Sequence, residues 1–394
     1  DRILSLDSQR REIIRKVEQL KAERNKVSAQ IAQKKKTSEP VDEAIAEMRK
    51  VGDEIAVLDR DLREIEQQLQ TALEWVPNIP HDSVPVGPDE SANVVVRTWG
   101  EILTPSFNVL PHWEIGQRLG ILDLPAAAKV SGSGFIVLKS KGARLQRALI
   151  NYMIDLHTSD GFTEYVTPYI VTSDSMFGTG QLPKLDEDMY RIEKDNMYLI
   201  PTGEVSITNL VRDEMLSYQQ LPIYMVGYTP CFRREAGAAG KDTRGLLRVH
   251  QFDKVELVKI VHPDTSYDEL ESLLTQAEKV LRGLKLPYRI SVLATGDMSF
   301  ASAKTYDIEL WAAGVNKYLE VSSVSNFGDF QARRMNCRFR DEDKTVKYPH
   351  TLNGSGVALA RLMAAILENY QNADGTVTVP EVLRPYMGGA ETIG

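Results

Sequence analysis

The tightest constraint on this chain's fold lies in its first 75 residues, where apolar side chains recur at alternating three- and four-residue spacing. Ile3, Leu6, Ile13, Val17, Leu20, Val27 and Ile31 follow that spacing, with Arg10 and Arg24 in the same seam. From Val51 the pattern resumes through Ile55, Leu58, Leu62, Ile65, Leu69, Ala72 and Val76. A stripe of this period is buried when two helices lie along each other. Between the stripes, "KKKTSEP" (Lys34–Pro40) offers a cap-type serine and a proline that cannot continue the first helix. The spacing therefore predicts an antiparallel helical hairpin. Helices of roughly 30 residues at ~1.5 Å per residue would give it a length of about 45 Å.

Charge is uneven along this arm. Its first helix carries Arg2, Arg10, Arg11, Arg15, Lys16, Lys21, Arg24, Lys26, Lys34, Lys35 and Lys36 against the acids Asp7, Glu12, Glu18 and Glu23. The second helix is net acidic, so one reading is a solvated or self-associating hairpin whose charges satisfy each other. The other is that the basic helix and its Lys34–Lys36 tip touch nucleic-acid backbone, where each neutralised phosphate releases counterions. The net charge of −8 allows nucleic-acid binding only through a local basic patch of this kind.

Past the arm, "WVPNIPHDSVPVGPDES" (Trp75–Ser91) reads as an extended, proline-rich linker. The expected division is 1–76 arm, 77–95 linker and 96–394 body. In the body, helices are expected at Gly142–Phe162 and at Ser266–Leu284, the latter opening on a capping-box serine. Strand-like runs fall at Ile223–Phe232, Leu246–Ile260, Tyr288–Leu293 and Tyr318–Ser323. Without a repeating βαβ order, these favour an α+β fold with an antiparallel sheet. Two separated cysteines, Cys231 and Cys337, argue for a reducing compartment, and the histidines make no zinc pattern. No apolar run approaches the ~18 residues of a membrane span.

Chemistry concentrates in "FRREAGAAGKDTRGLLRVHQFDKVE" (Phe232–Glu256). Its Gly240-Lys241 pair fails as a P-loop, because Glu235 stands where the first glycine belongs and Asp242 follows the lysine. Read as strand, loop and returning strand, it puts Arg233 and Glu235 on one face and Phe252 and Glu256 on another strand's face. Such a set suits a nucleotide, though a cross-strand salt-bridge ladder has the same pattern. "LNGSGVALARLMAAILENY" (Leu352–Tyr370) reads as a small-residue turn and a helix interrupted by Arg361, whose cation needs an internal acid or a substrate phosphate. Thr202 and Glu204 in "YLIPTGEVSITN" could hold an ammonium and a hydroxyl, or could be only a turn or cap. Glu320, Ser322 and Ser323 in "YLEVSSVSN" offer oxygen donors to a hard cation.

Together these segments resemble the class II aminoacyl-tRNA synthetases: Phe232–Glu256 looks like their motif 2, "NGSGVALAR" like motif 3, and Gly142–Pro168 falls where motif 1 would be. The TGE tripeptide, the E-V-S-S run, the loop Gly178–Lys184 and the helical hairpin are similar to the bacterial-type seryl-tRNA synthetases in particular. The likeness covers essentially the whole chain. It implies that Thr202, Gly203, Glu204, Arg233, Glu256, Asn353 and Ser355 hold L-serine. It implies that Arg233, Arg234, Glu235, Val249, Phe252, Glu320, Val321, Ser322, Ser323 and Arg361 hold ATP, with Glu320 and Ser323 on Mg²⁺ and no zinc. Arg233 and Arg361 would be the catalytic cations. Arg10, Arg11, Lys16, Arg24, Lys34, Lys35 and Lys36 are the candidate tRNA contacts, with Lys241 and Arg244 near the acceptor end or pyrophosphate.

The activity implied is activation of serine as the adenylate, followed by transfer to tRNA(Ser), and to tRNA(Sec) as well, by a cytoplasmic homodimer that binds tRNA across subunits. Two alternatives stand beside it: an amino acid:carrier-protein ligase on the same core, and a catalytically inactive tRNA-binding paralogue.

Overall fold

The computed structural model describes residues 1–38, 40–236 and 244–394. The chain divides into two units, Asp1–Pro77 and Asn78–Gly394. In the first, α1 (Arg2–Lys36) and α2 (Asp42–Leu73) pack along each other. Leu6, Val17 and Ile55 are the buried centre of the seam, and the other stripe residues up to Ala72 flank it half-buried. Val76 at its end is exposed. Two of the expected tRNA contacts are engaged across the hairpin. Arg10 Nε lies 3.3 Å from Glu66 and Lys16 Nζ 2.8 Å from Glu54. Arg11 pairs along its own helix with Asp7 at 2.8 Å. Lys34, Lys35 and Lys36 occupy the last turn of α1, where cations complement the exposed carbonyl ends.

The second unit is built on eight strands: β1 (Val94–Trp99), β2 (Thr163–Glu164), β3 (Ile223–Phe232), β4 (Gln251–Val261), β5 (Tyr288–Val292), β6 (Lys304–Ala312), β7 (Lys317–Asn326) and β8 (His350–Ala358). Their order across the sheet is β1-β5-β6-β7-β8-β4-β3-β2, antiparallel except for the β2–β3 pair. Helices α3 (Lys141–Ser159), α5 (Ser266–Gly283) and α7 (Leu359–Asn369) bury their apolar stripes in one core with this sheet. Two short helices complete the frame of the site, α4 (Gly203–Thr208) and α6 (Phe330–Arg334).

Residues 77–95 do not form a free tether. Asn78 Nδ2 donates to the carbonyls of Ala301 and Phe327 at 2.8 and 2.7 Å, Val84 is buried, and the end of the stretch enters β1.

Three local expectations are corrected. The strand expected from Leu246 begins only at Gln251. The small-residue start of Leu352–Tyr370 is not a turn but the end of β8, because Ser355 and its neighbours pair with β4. The capping box at Ser266 does not form; the cap is Thr265, and the acid three residues beyond Ser266 is taken elsewhere. That acid, Glu269, receives Lys259 Nζ at 2.7 Å and Tyr224 Oη at 2.7 Å. A buried ammonium outbids a local cap, since leaving it unpaired costs several kcal/mol.

Candidate active site

Strand β4 decides which side chains face the site. Its Val255 and Leu257 belong to the core shared with the helices, so the alternate residues Phe252, Lys254 and Glu256 project from the opposite face. Beside them runs β8, with Ser355 opposite Glu256. The register then slips between Ser355 and Val357, leaving Gly356 as an extra residue. A second slip, between β6 and β7, leaves Val321 unpaired and brings Glu320 opposite Glu309.

These strands floor a cavity of about 600 Å³. The expected residues Thr202, Glu204, Arg233, Glu235, Val249, Phe252, Glu256, Glu320, Val321, Ser322, Ser323, Asn353, Ser355 and Arg361 all line it. Gly203 and Arg234 do not. Gly203 is buried under Thr229 and Glu256, where a Cβ would stand 3.0 and 3.1 Å from their atoms. Arg234 is exposed, its backbone N–H donated to Asp188 O at 2.9 Å. Lys241 lies outside the described residues, and the Arg244 guanidinium stands 5.9 Å from the Trp113 ring centre.

At one end, Thr202 caps α4 by accepting from Glu204 N at 3.3 Å. Its hydroxyl also accepts from Lys254 Nζ at 2.7 Å and donates to Glu256 Oε2 at 3.2 Å. Lys254 in turn pairs with Glu256 at 2.5 Å. Glu204, only 6% exposed, accepts from Gln331 Nε2 at 2.6 Å. Burial, then the neighbouring Glu256 carboxylate, push the Glu204 carboxyl up to about 7. Gln331 is fixed by Thr351, whose hydroxyl donates to its Oε1 at 2.6 Å.

The middle of the cavity is cationic and aromatic. Arg233 Nε donates to Pro201 O at 3.2 Å, and its guanidinium carbon lies 5.3 Å from the Phe252 ring centre. Arg233 and Glu235 are not strand residues, since β3 ends at Phe232. Glu235 has φ +51°, a left-handed conformation costly for a residue with a side chain, and its carboxylate holds Arg248 at 2.6 Å. The turn, not a pleat, aims both side chains inward.

At the far end stands Arg361. Every other residue from Leu359 to Glu368 is buried, whereas the Arg361 side chain is 27% exposed toward the cavity. It donates to Leu247 O at 3.1 Å and Glu320 O at 2.6 Å, and lies 3.5 Å from the Glu320 carboxylate. Glu368 is a second charge on the same helix, and it is buried. Next to Glu320 is Asp307, half-buried and opposite Ser323 across the strands, whose buried Oδ1 has no hydrogen-bond partner among the described residues. Burial first, then the Glu320 charge, raise its carboxyl well above the usual range. Lys254, Arg248, Gln331 and Asp307 were not foreseen. Only Lys254 carried a readable signal, its place midway between Phe252 and Glu256 on a period of two.

An antiparallel sheet flanked by helices, with paired carboxylates at one end of its cleft, an arginine over an aromatic ring in the middle and a second arginine at the far end, has the architecture of a class II synthetase core. In agreement, the family described as "tRNA synthetase class II core domain (G, H, P, S and T)" matches residues 189–370. The family "Seryl-tRNA synthetase N-terminal domain" matches residues 1–80. A "Serine--tRNA ligase" of Geobacillus sp. (strain WCH70) is 58% identical, over 100% of this chain and 93% of its own. The solved seryl-tRNA synthetase of Pyrococcus horikoshii complexed with ATP superposes with a TM-score of 0.95 at 40% identity, covering 99% of this chain and 92% of that one. The cytoplasmic Serine-tRNA ligase of Naegleria fowleri in complex with AMP gives a TM-score of 0.89 at 31% identity, over 100% and 91%. The chain belongs to the seryl-tRNA synthetase family.

Proposed function

We propose that this cavity divides the chemistry of a serine–tRNA ligase among the residues described. A serine carboxylate oxygen attacks the α-phosphorus of ATP, pyrophosphate leaves, and the seryl group then passes from the adenylate to the terminal ribose of tRNA(Ser). Glu204 and Thr202 receive the serine ammonium. Glu256, paired with Lys254, and Ser355 read its hydroxyl, with Asn353 and Gly203 shaping the wall. A pocket built to satisfy a hydroxyl disfavours alanine and glycine, whose binding would leave its polar groups unpaired.

Arg233 bridges the serine carboxylate and the α-phosphate, so catalysis is largely positioning. Phe252 stacks on the adenine, and Glu235 accepts from its amino group. Arg361 takes the γ-phosphate in exchange for its present carbonyl partners. Mg²⁺ fits beside Glu320 and Ser323, because Mg²⁺ is bound by one or two carboxylates plus phosphates. Asp307, opposite Ser323 and with an Oδ1 that has no partner among the described residues, offers a further oxygen of the right chemistry. When bound, the ion would supply neutralisation of phosphate charge.

The arm is proposed to grip tRNA by shape across a homodimer, in which case tRNA(Sec) is a further acceptor. The compartment assigned is the cytoplasm, by kinship with the cytoplasmic relative above.

The observation that carries this reading is the gathering, within one cavity, of the Glu204–Glu256–Lys254 cluster with Arg233, Phe252 and Arg361. Serine-dependent ATP–pyrophosphate exchange tests it. Exchange with serine is expected, and Arg361→Ala should lower it on the order of 10²-fold. Exchange favouring alanine or glycine would support the carrier-protein ligase instead, and no exchange with any amino acid would support the inactive paralogue.

A further inference from the structure

Helix α7 reaches the segment Leu246–Val249, just ahead of β4, by two routes. Arg361 donates to Leu247 O at 3.1 Å. Seven residues on, two turns along the same face, Glu368 works through an intermediary. Its Oε1 accepts from the backbone N–H of His112 at 2.9 Å and from the ring Nδ1 at 2.7 Å. Its Oε2 accepts from the backbone N–H groups of Gly314 and Val315 at 2.9 and 3.2 Å. With the ring proton on Nδ1, Nε2 is an acceptor, and Leu246 N–H donates to it at 2.9 Å.

His112 is fully buried and is absent from the cavity lining, whereas Leu246, Leu247, Arg248 and Val249 all line it. Gly245, at φ +63°, packs so closely on the ring that a Cβ there would collide with Nε2. Both nitrogens are thus committed, and the imidazole spans the gap between a buried carboxylate and the segment that walls the nucleotide end of the cavity.

We propose that His112 is a positioning residue for ATP. The inference rests on the reading of Leu246–Val249 and Arg361 as parts of the ATP site. When Arg361 turns to a phosphate it gives up Leu247 O, and the tie from α7 to Leu246 through His112 stays in place. That tie keeps Val249 and Arg248, and through Arg248 the Glu235 carboxylate, in register with Phe252. Glu368 is the anchor, and its four donors leave it no freedom to follow the loop.

Two substitutions separate the halves of the device. His112→Asn keeps an N–H where Nδ1 stands but stops short of Leu246. His112→Gln keeps an acceptor near Nε2. Pyrophosphate-exchange kinetics should show His112→Asn raising the KM for ATP about tenfold, with the KM for serine within about twofold of the parent. His112→Gln should recover most of that loss. Equal losses in both variants without a change in KM for ATP, or no loss in either, would overturn the proposal by reducing His112 to a packing role.

If neither variant folds, Glu368→Gln, which keeps the shape of the anchor, should raise the same KM alone; an unchanged KM there counts against the idea. Phe252→Ala serves as the control for the underlying reading. An unchanged KM for ATP in Phe252→Ala sinks the ATP site itself. A raised one beside a silent His112→Asn sinks only the positioning role.

Discussion

At Glu204 a carboxyl is held out of water beside another carboxylate, and its affinity for a proton rises to about 7. The folded chain therefore keeps this proton to higher pH than the unfolded chain does. Its contribution to stability is complete below the ordinary glutamate range of about 4.5 and is lost as pH rises through about 7. Glu204→Gln removes that dependence. The melting temperature of the ligand-free variant should gain on the parent between pH 5 and pH 8, by the equivalent of roughly 2–3 kcal/mol at most. A difference between parent and variant that stays flat over that range would show the carboxyl to be ionised already. At this scale the sequence was legible where function shares one strand, as with Phe252 and Glu256. It was silent on Gln331 and His112, whose partners lie 127 and 256 residues away. Nothing local marks a glutamine or histidine that is completed by so distant a neighbour.

Elements were legible in proportion to how local their cause is. The hairpin stripe follows from period alone, so Ile3 to Ile31 and Ile55 to Ala72 fall at the seam as expected. The failures have tertiary causes: Lys259 takes the glutamate that would have boxed the cap of α5, and Glu235 turns left-handed where a strand was expected to run on. The seam offers a test at its own scale. Ile55 is among the three most buried apolar residues of the hairpin. Ile55→Ala should destabilise the arm by about 2–4 kcal/mol, seen as earlier proteolysis within residues 1–77. Pyrophosphate exchange should stay at the parental rate. A uniform loss of exchange would mean that the arm and the body do not fold as separate units.

For the whole molecule, the two-unit division makes the labour of the arm separable. Deleting Ser5–Glu74 should leave serine-dependent exchange intact and lower aminoacylation of tRNA(Ser) by orders of magnitude; unchanged aminoacylation would refute the arm's assignment. The sheet order carries a different consequence, for the sequence of events during synthesis. β8, residues 350–358, lies between β7 and β4. Until it leaves the ribosome, the two strands that flank it have bare hydrogen-bonding edges facing each other, of the kind that recruit other chains. The arm needs only its first 77 residues and can form early. The body's central seam closes last, with the strand that also delivers Ser355 to the serine pocket. A nascent chain stalled before residue 350 should therefore be one that chaperones hold and that no ligand can rescue.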